Sequence, residues 1–444
     1  MCSFLVTNKN ISDVDNVNFY LKFRGPDHTE IKKINEWTFI HNLLSITGDF
    51  TPQPLEKNGI FLVFNGEIYN YNDGEKKYTS DGFFIIDQYL DKGADFVKFL
   101  DGEFALVILD TNRNKLYFSG DCFLTKPLYI GTTKEREIGI ASYKSALERL
   151  NFTNIQRVAP NFIFNLDLTD WKLNYSYIKE WDLQQNVDNY EQWEQAFFNS
   201  VQKRINYHKT PILVPMSSGY DSGSIVCALQ NNKYDNYLTY SFVGNEDRNI
   251  VNQRFNKNCG FAKDNSIVKQ YINDSDGRQI KNQFLQFVEP FYYGYFPTEE
   301  DMKGFEDKGA IGLYYLLQEV KTKHGVKVQL SGQGGDEIMG NLQTYGFGGK
   351  FNPQAWPKDQ SLVFPWANFY YGSNWSYLNK EECIAGSLGI ETRYPLLDKQ
   401  VVQCYLNLIP ELKNKYYKAP LRYLFDKYQF PFKEEKLGFN LQII

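Results

Sequence analysis

Cys2, directly after Met1, is the first residue of this chain whose type and place suggest covalent chemistry. Removal of Met1 would leave Cys2 with a free amine beside its thiol. An α-amino group titrates near ~8, so it can serve as base for its own side chain without a histidine. Alone, a second-position cysteine is more often incidental, and Asn65-Gly66 within FNGEIYNY (64–71) reads simply as a turn signal. A different chemistry is suggested by SSGYDSG (217–223), set between the apolar run PILVPM (211–216) and an apolar helix expected from Ser224. Successive backbone N–H groups and a helix N-terminus in that position can hold a phosphate, although the spacing is not that of a GxxxxGK[ST] loop. LSGQGGDEIMG (330–340) again follows a buried-type strand. Asp221 and Asp336 would then both lie where the carboxyl ends of strands gather ligands. Lys418, in YKAPLRYLF (417–425), reads by itself as a solvated helix lysine.

The elements that must position these residues fall into two textures. In the first 150 residues, 59–66, 104–110, 115–121 and 137–142 read as strands, the middle two joined by the turn TNRN. Residues 80–98 read as helical between them, so a sheet sandwich covered by helices is expected. Residues 181–190 are polar and read as a linker. From Tyr190 the apolar residues recur at helical spacing (Tyr190, Trp193, Phe197, Val201, Ile205). The apolar runs 211–216, 237–242 and 326–330 then alternate with helical stretches such as 310–320, which predicts a parallel sheet with right-handed crossovers. Residues 343–380, rich in Gly, Asn, Tyr and Trp, form an irregular insertion with no assigned place. The expected domains are 2–180 and 190–444.

Composition excludes several classes. The chain has 444 residues, too many for one ordinary core, with 42% hydrophobic and 23% charged residues. Its formal net charge of −5 gives no footprint for nucleic acid or an anionic membrane. No run approaches the ~20 apolar residues of a membrane helix, and the N-terminus lacks the pattern of a signal peptide. The six cysteines form no CxxC pair and the four histidines are widely spaced. A reducing, cytoplasmic setting is expected, without disulfides or a histidine metal site.

The order and spacing of RGPD (24–27), HNLLSI (41–46), QPL (53–55), FNGEIYNY, SDG (80–82), LDGEFALVILD (100–110) and DCFLTKPLY (121–129) resemble the glutaminase domain of asparagine synthetases and other class II amidotransferases. That resemblance implies an αββα N-terminal-nucleophile fold in which Cys2 attacks the side-chain amide of glutamine. It assigns Asn65 (side chain) and Gly66 (backbone N–H) to the oxyanion hole, and Glu67 and Asp81 to the substrate α-ammonium. One oxyanion donor is worth ~10²–10³ in rate. Arg24 is implied to be structural, near Asp27.

SSGYDSG is similar to the SGGxDS signature of ATP pyrophosphatases, with Ser217, Gly219, Asp221 and Ser222 matching. LSGQGGDEIMG resembles the family's SGEGxDE segment, and SLGIETRYPLLDKQVV (387–402) its HGLExRxPFLD segment. Lys418 stands four residues before Arg422, as in the family, and KLGF (436–439) fits its C-terminal pattern. The resemblance implies ATP bound by Ser217, Gly219, Asp221, Ser222 and Gly332. Mg²⁺ would be shared by Asp221 and Asp336, with Glu337 either in support or an ordinary helix N-terminal acid. Lys418 would neutralise charge at the reacting phosphorus or carbon, and Arg422 would pair structurally. The implied partners are glutamine and a carboxylate acceptor, aspartate or another, with neutral ammonia passing internally between the two reactions. A homodimer is compatible with this reading.

Three positions depart from the family pattern. Leu43 stands where family members carry an arginine for the glutamine α-carboxylate, Ser218 replaces a glycine, and Gln333 in the acceptor pocket replaces a glutamate. An amide ligase fed by free ammonia or an amine, and a non-catalytic nucleotide-binding relative, are therefore the alternatives to a glutamine-dependent amidotransferase.

Overall fold

The computed structural model describes residues 2–206, 210–242, 246–258, 262–268, 274–295, 298–340 and 354–434. The KLGF segment and residues 343–353 of the insertion lie outside them. The chain divides into two compact units. Met1–Glu180 forms the first, joined by Phe287–Glu289 and Ala385–Glu391; the second comprises Trp181–Gln286, Pro290–Ile384 and Thr392–Ile444.

The first unit is built on two antiparallel sheets. Its strands are β1 (Ser3–Thr7), β2 (His28–Ile34), β3 (Trp37–Leu43), β4 (Leu55–Lys57), β5 (Ile60–Ile68), β6 (Gly102–Asp110), β7 (Lys115–Gly120), β8 (Tyr129–Thr132), β9 (Ile138–Ala141), β10 (Asn154–Arg157), β11 (Phe162–Asp167) and β12 (Lys172–Tyr177). One sheet runs β10-β8-β9-β1-β3-β2, the other β12-β11-β7-β6-β5-β4. The hairpin expected at 104–121 is β6–β7, and the expected strand at 59–66 is β5.

Strand alternation decides which residues reach the site. On β5, Leu62 and Phe64 join Leu106 and Ile108 of β6 in a core with Ile85, Ile86 and Tyr89 of helix Asp81–Lys92. Asn65 and Val63 therefore lie on the opposite face. That helix starts at Ser80, whose hydroxyl caps Gly82 N–H, and ends at Gly93, whose φ of 60° would strain a side chain. The chain continues to Phe99 as a 3₁₀ helix, so the helical texture expected over 80–98 is two elements.

The second unit carries a sheet in the order β15-β14-β13-β18-β19. Its strands are β13 (Ile212–Pro215), β14 (Tyr237–Phe242), β15 (Asp264–Val268), β18 (Val328–Leu330) and β19 (Glu391–Arg393), with β16 (Tyr292–Tyr295) and β17 (Thr298–Lys303) forming a separate hairpin. The pairs β13–β14, β13–β18 and β14–β15 are parallel. β13, β14 and β18 are almost wholly buried, which is why they read as continuous apolar runs. The fold class is thus the expected one, a two-sheet sandwich and then a parallel-sheet α/β unit.

Two expectations need correction. The helix after β13 begins at Tyr220 with Gly219 at its N-cap, not at Ser224, so Asp221 and Ser222 occupy its first turn. The polar segment 181–190 is not slack. Gln403 Oε1 accepts from Asp182 N–H at 3.1 Å, and Asn407 O accepts from Val187 N–H at 2.9 Å. Lys413, buried between the rings of Trp356 and Tyr405, donates to Gln185 at 2.9 Å. The described part of the insertion packs as an aromatic cluster of Trp356, Phe364, Trp366 and Phe369 in edge-to-face contacts, followed by helix Gly372–Ser387.

Candidate active sites

In the first unit, Cys2 lies just before β1 and is buried. Its backbone N–H donates to Asn65 Oδ1 at 3.0 Å. That bond orients the Asn65 amide and leaves Asn65 Nδ2 buried with no hydrogen-bond partner. A buried donor without an acceptor costs about 1–3 kcal/mol, so it points to an acceptor that arrives with a ligand. Gly66 has φ 129°, and a Cβ there would lie 1.9 Å from Glu103 O, so only glycine fits.

Two acids follow on the same stretch. Glu67 accepts from Thr47 Oγ1 at 2.7 and 2.9 Å. Asp81 Oδ2 accepts from Ile68 N–H at 3.0 Å. Burial, and then the Glu67 charge, push the Asp81 carboxyl up to about 8. The pair is poised to receive a cation, because each negative charge is costly beside the other. The Cys2 thiol is raised above its ordinary value by burial, so it needs a base in order to react. Arg24 is buried beneath it, with Nε donating to Cys2 O at 2.9 Å and one terminal nitrogen to Tyr143 OH at 3.2 Å. Arg24 thus anchors the backbone of Cys2, while Asp27 accepts from Ser45 N–H at 2.8 Å. Leu43 is buried at the end of β3.

In the second unit the loop 216–219 is closed by its own hydroxyls. Ser217 N–H donates to Ser222 Oγ at 3.1 Å, the two hydroxyls lie 2.8 Å apart, and Gly219 N–H donates to Ser217 Oγ at 3.1 Å. Buried Arg254 donates to Ser217 O at 2.5 Å and Gly219 O at 2.9 Å. Burial lowers its guanidinium to about 10, which still leaves it charged. Glu246 Oε2 receives both Ser218 N–H at 2.6 Å and Ser218 Oγ at 2.5 Å. The hydroxyl that replaces a glycine hydrogen is therefore bonded. A side chain on Gly332 or Gly335 would collide with Asp221, at 2.6 Å from its Cβ and 2.1 Å from its Oδ1 respectively.

Lys418 joins the segments. Its ammonium lies 2.6 Å from both carboxylate oxygens of Asp221 and 3.0 Å from Asp336 Oδ1. Burial works against that charge, but Asp221 and Asp336 outweigh it and hold Lys418 protonated well above its usual range. Its φ of 47° places it in the left-handed region at the N-cap of helix Ala419–Lys427. Tyr417 OH donates to Asp336. Glu337 is buried under Ser373 Oγ and Gly334 N–H, and burial, then Asp336, raise its carboxyl to about 7. That makes it a support of the turn. Arg422 pairs with Asp426 and Glu434.

Beside these groups is a cavity of about 290 Å³, lined by Ser217, Asp221, Ser222, Gly332 and Gln333 together with apolar Met216, Phe242, Leu313 and Leu316. Among the described residues no cluster of three potential metal ligands occurs. Two carboxylates converging on one cation, with glycine backbone leaving room around them, fit a divalent ion that shares its ligands with a polyphosphate, not one held by protein alone. Of the sequence-predicted residues, Cys2, Asn65, Gly66, Glu67 and Asp81 fall in the first group. Ser217, Gly219, Asp221, Ser222, Gly332, Gln333, Asp336 and Lys418 fall in the second. Sequence reasoning missed Arg254, Glu246 and Tyr417, whose partners are distant in sequence.

Two known protein families match separate parts of the chain. The glutamine amidotransferase domain family matches residues 1–179 and the asparagine synthase family residues 297–380. The chain therefore carries a class II amidotransferase domain followed by an asparagine synthase domain. It belongs to the asparagine synthase family. A protein of Methanocaldococcus jannaschii that carries the name of a glutamine-hydrolysing asparagine synthetase is 27% identical over 435 residues, covering 90% of this chain and 74% of the relative. A Dictyostelium discoideum protein of the same name is 26% identical over 430 residues, covering 88% and 72%. Asparagine synthetase 1 of Arabidopsis thaliana is 24% identical over 431 residues, covering 88% and 66%. No helix among the described residues is long and apolar enough to cross a membrane.

Proposed function

We propose that this chain is a glutamine amidotransferase of synthetase type, with residues 2–180 freeing ammonia from an amide and residues 190–444 adenylating a carboxylate and amidating it. The observation that carries this reading is the Lys418 ammonium, held between Asp221 and Asp336 beside a cavity of about 290 Å³. A carboxylate oxygen attacks the α-phosphorus of ATP, pyrophosphate leaves, and ammonia then displaces AMP from the acyl-adenylate. Ser217, Gly219 and Ser222 cradle the departing pyrophosphate, on a loop whose shape Arg254 fixes through the carbonyl oxygens of Ser217 and Gly219. Lys418 offsets charge on the pentavalent phosphorus and later on the tetrahedral carbon. Asp221 and Asp336 are the residues that would hold Mg²⁺, which when bound with ATP reduces the negative charge on its phosphates. Gln333, neutral where the family has an acid, faces the acceptor and disfavours one bearing an ammonium. In the first half, Cys2 is the nucleophile, Asn65 Nδ2 and Gly66 N–H receive the oxyanion, and Glu67 and Asp81 receive the donor's ammonium.

The test is ATP-to-pyrophosphate turnover against a panel of carboxylates, with and without glutamine. Turnover with at least one carboxylate, lost in Asp336→Asn, is expected. No turnover with any acceptor, with either glutamine or ammonia present, would overturn the synthetase reading. A ligase using free ammonia is the second reading, favoured by the apolar Leu43 beside the nucleophile.

A further inference from the structure

The face of the first unit that carries Cys2 has a charge pattern that defines a donor more closely than glutamine. β1 pairs with β3 in the register Ser3↔Asn42 and Phe4↔His41. One residue beyond that ladder, Cys2 stands opposite Leu43. Side chains alternate along a strand. Asn42 points to the other face, where it bonds Ser3, Asn18 and Thr29. Phe4, His41 and Leu43 therefore share the face of Cys2. His41 is no cation there, since burial, then His28, drive it down to about 3. Arg24 already binds Cys2 O and Tyr143 OH. His28, across β2–β3 from Leu43, lies 3.2 Å from Glu30, and its ring meets Phe50, which is 58% exposed.

Around the thiol stand an unpartnered amide donor for an oxyanion, the acids Glu67 and Asp81 for an ammonium, with Glu391 acting on both Cys2 and Asp81, and an apolar wall leading to an exposed aromatic rim. A donor carboxylate reaching this wall would lose its hydration and gain no bidentate partner among the described residues of that face. We propose that the first unit takes an amide donor that presents a free α-ammonium but no free α-carboxylate, namely an N-terminal glutaminyl residue or a glutamine α-amide. This rests on Cys2 being the nucleophile. Cys2 Sγ bonds to the side-chain carbonyl carbon, and the thiol proton passes through the α-amine to the leaving nitrogen, which departs as ammonia. Water then cleaves the thioester, giving the side-chain carboxylate and restoring the thiol.

The experiment measures ammonia release and the one-unit mass gain of the product, using the full chain with free glutamine, glutaminyl-glycine, glutamine α-amide and N-acetylglutamine. The proposal expects kcat/KM for the dipeptide or the α-amide at least tenfold above free glutamine. N-acetylglutamine should be the poorest, and Cys2→Ala should lose all activity. The ranking of the dipeptide against the α-amide tells which source is used. Leu43→Arg is expected to move the preference towards free glutamine; the wild-type ranking decides the matter if that variant does not fold. Free glutamine equal to or better than both donors that lack a free α-carboxylate on the glutamine unit overturns the proposal while leaving Cys2 as a glutaminase nucleophile. Release from none of the donors overturns the nucleophile reading as well.

Discussion

Replacing Lys418 with methionine keeps most of the buried stem and deletes one charge from a group of three. The ammonium is 2% exposed and lies 2.6 Å from Asp221 and 3.0 Å from Asp336, whose side chains are 24% and 37% exposed. Breaking a wholly buried pair costs about 3–5 kcal/mol, while exposed pairs contribute about 0–1. Because both acids retain access to water, and Asp336 especially so, about 2 kcal/mol is the appropriate figure for the unliganded protein. For a unit of this size each kcal/mol lowers the melting temperature by about 2–4 °C, so a fall of about 4–8 °C is expected. A divalent ion should stabilise the variant more than the wild type, since the two carboxylates then lack their internal cation. Pyrophosphate release should fall by about 10² or more, the effect of one preorganised charge. Scanning calorimetry with and without magnesium, and pyrophosphate turnover, are the assays. Unchanged stability together with unchanged turnover would refute the claim that this ammonium organises the site.

Three further outcomes follow from the geometry. Asn65→Ala removes the unpartnered Nδ2 and should cut amide hydrolysis about 10²–10³-fold with little change in KM; a pure KM effect would place that nitrogen on the ground-state substrate. Asp81, raised to about 8 in the fold from 3.8, keeps its proton while the unfolded chain loses it, so stability should fall as pH rises between those values. Asp81→Asn should flatten that dependence in pH-resolved denaturation and weaken donor binding; an unaltered profile would mean that Asp81 is not the titrating group. Glu246→Gln takes a negative charge off Ser218 N–H and should lower the KM for ATP severalfold; a higher KM would show that the carboxylate positions the loop instead.

Much of this was legible because its determinants are local. The apolar runs of β13, β14 and β18 announce buried parallel strands, and Gly66 marks a backbone that no other residue could follow. The helix start at Tyr220 was misplaced because Ser, Gly and Asp compete with helical hydrogen bonds and so read as loop. Here the Ser222 hydroxyl turns back onto Ser217 N–H from inside the first turn. Arg254 was invisible because its partners are carbonyl oxygens, which carry no residue identity. The polar stretch 181–190 reads as a tether, yet side chains more than 200 positions away fasten it. Lys413 looks like any surface lysine until three neutral oxygens and two rings are seen around it.

Arg254 also bears on how nucleotide arrives. A guanidinium that grips the carbonyl oxygens of Ser217 and Gly219 from beneath, with Nε on Pro431 O at 2.9 Å, fixes the shape of the loop from within the protein. The entropy of ordering those residues is lost once, during folding, and not at each catalytic cycle. Nucleotide would then meet a loop whose backbone is already shaped, and the Glu246 carboxylate on Ser218 is the group it would have to displace.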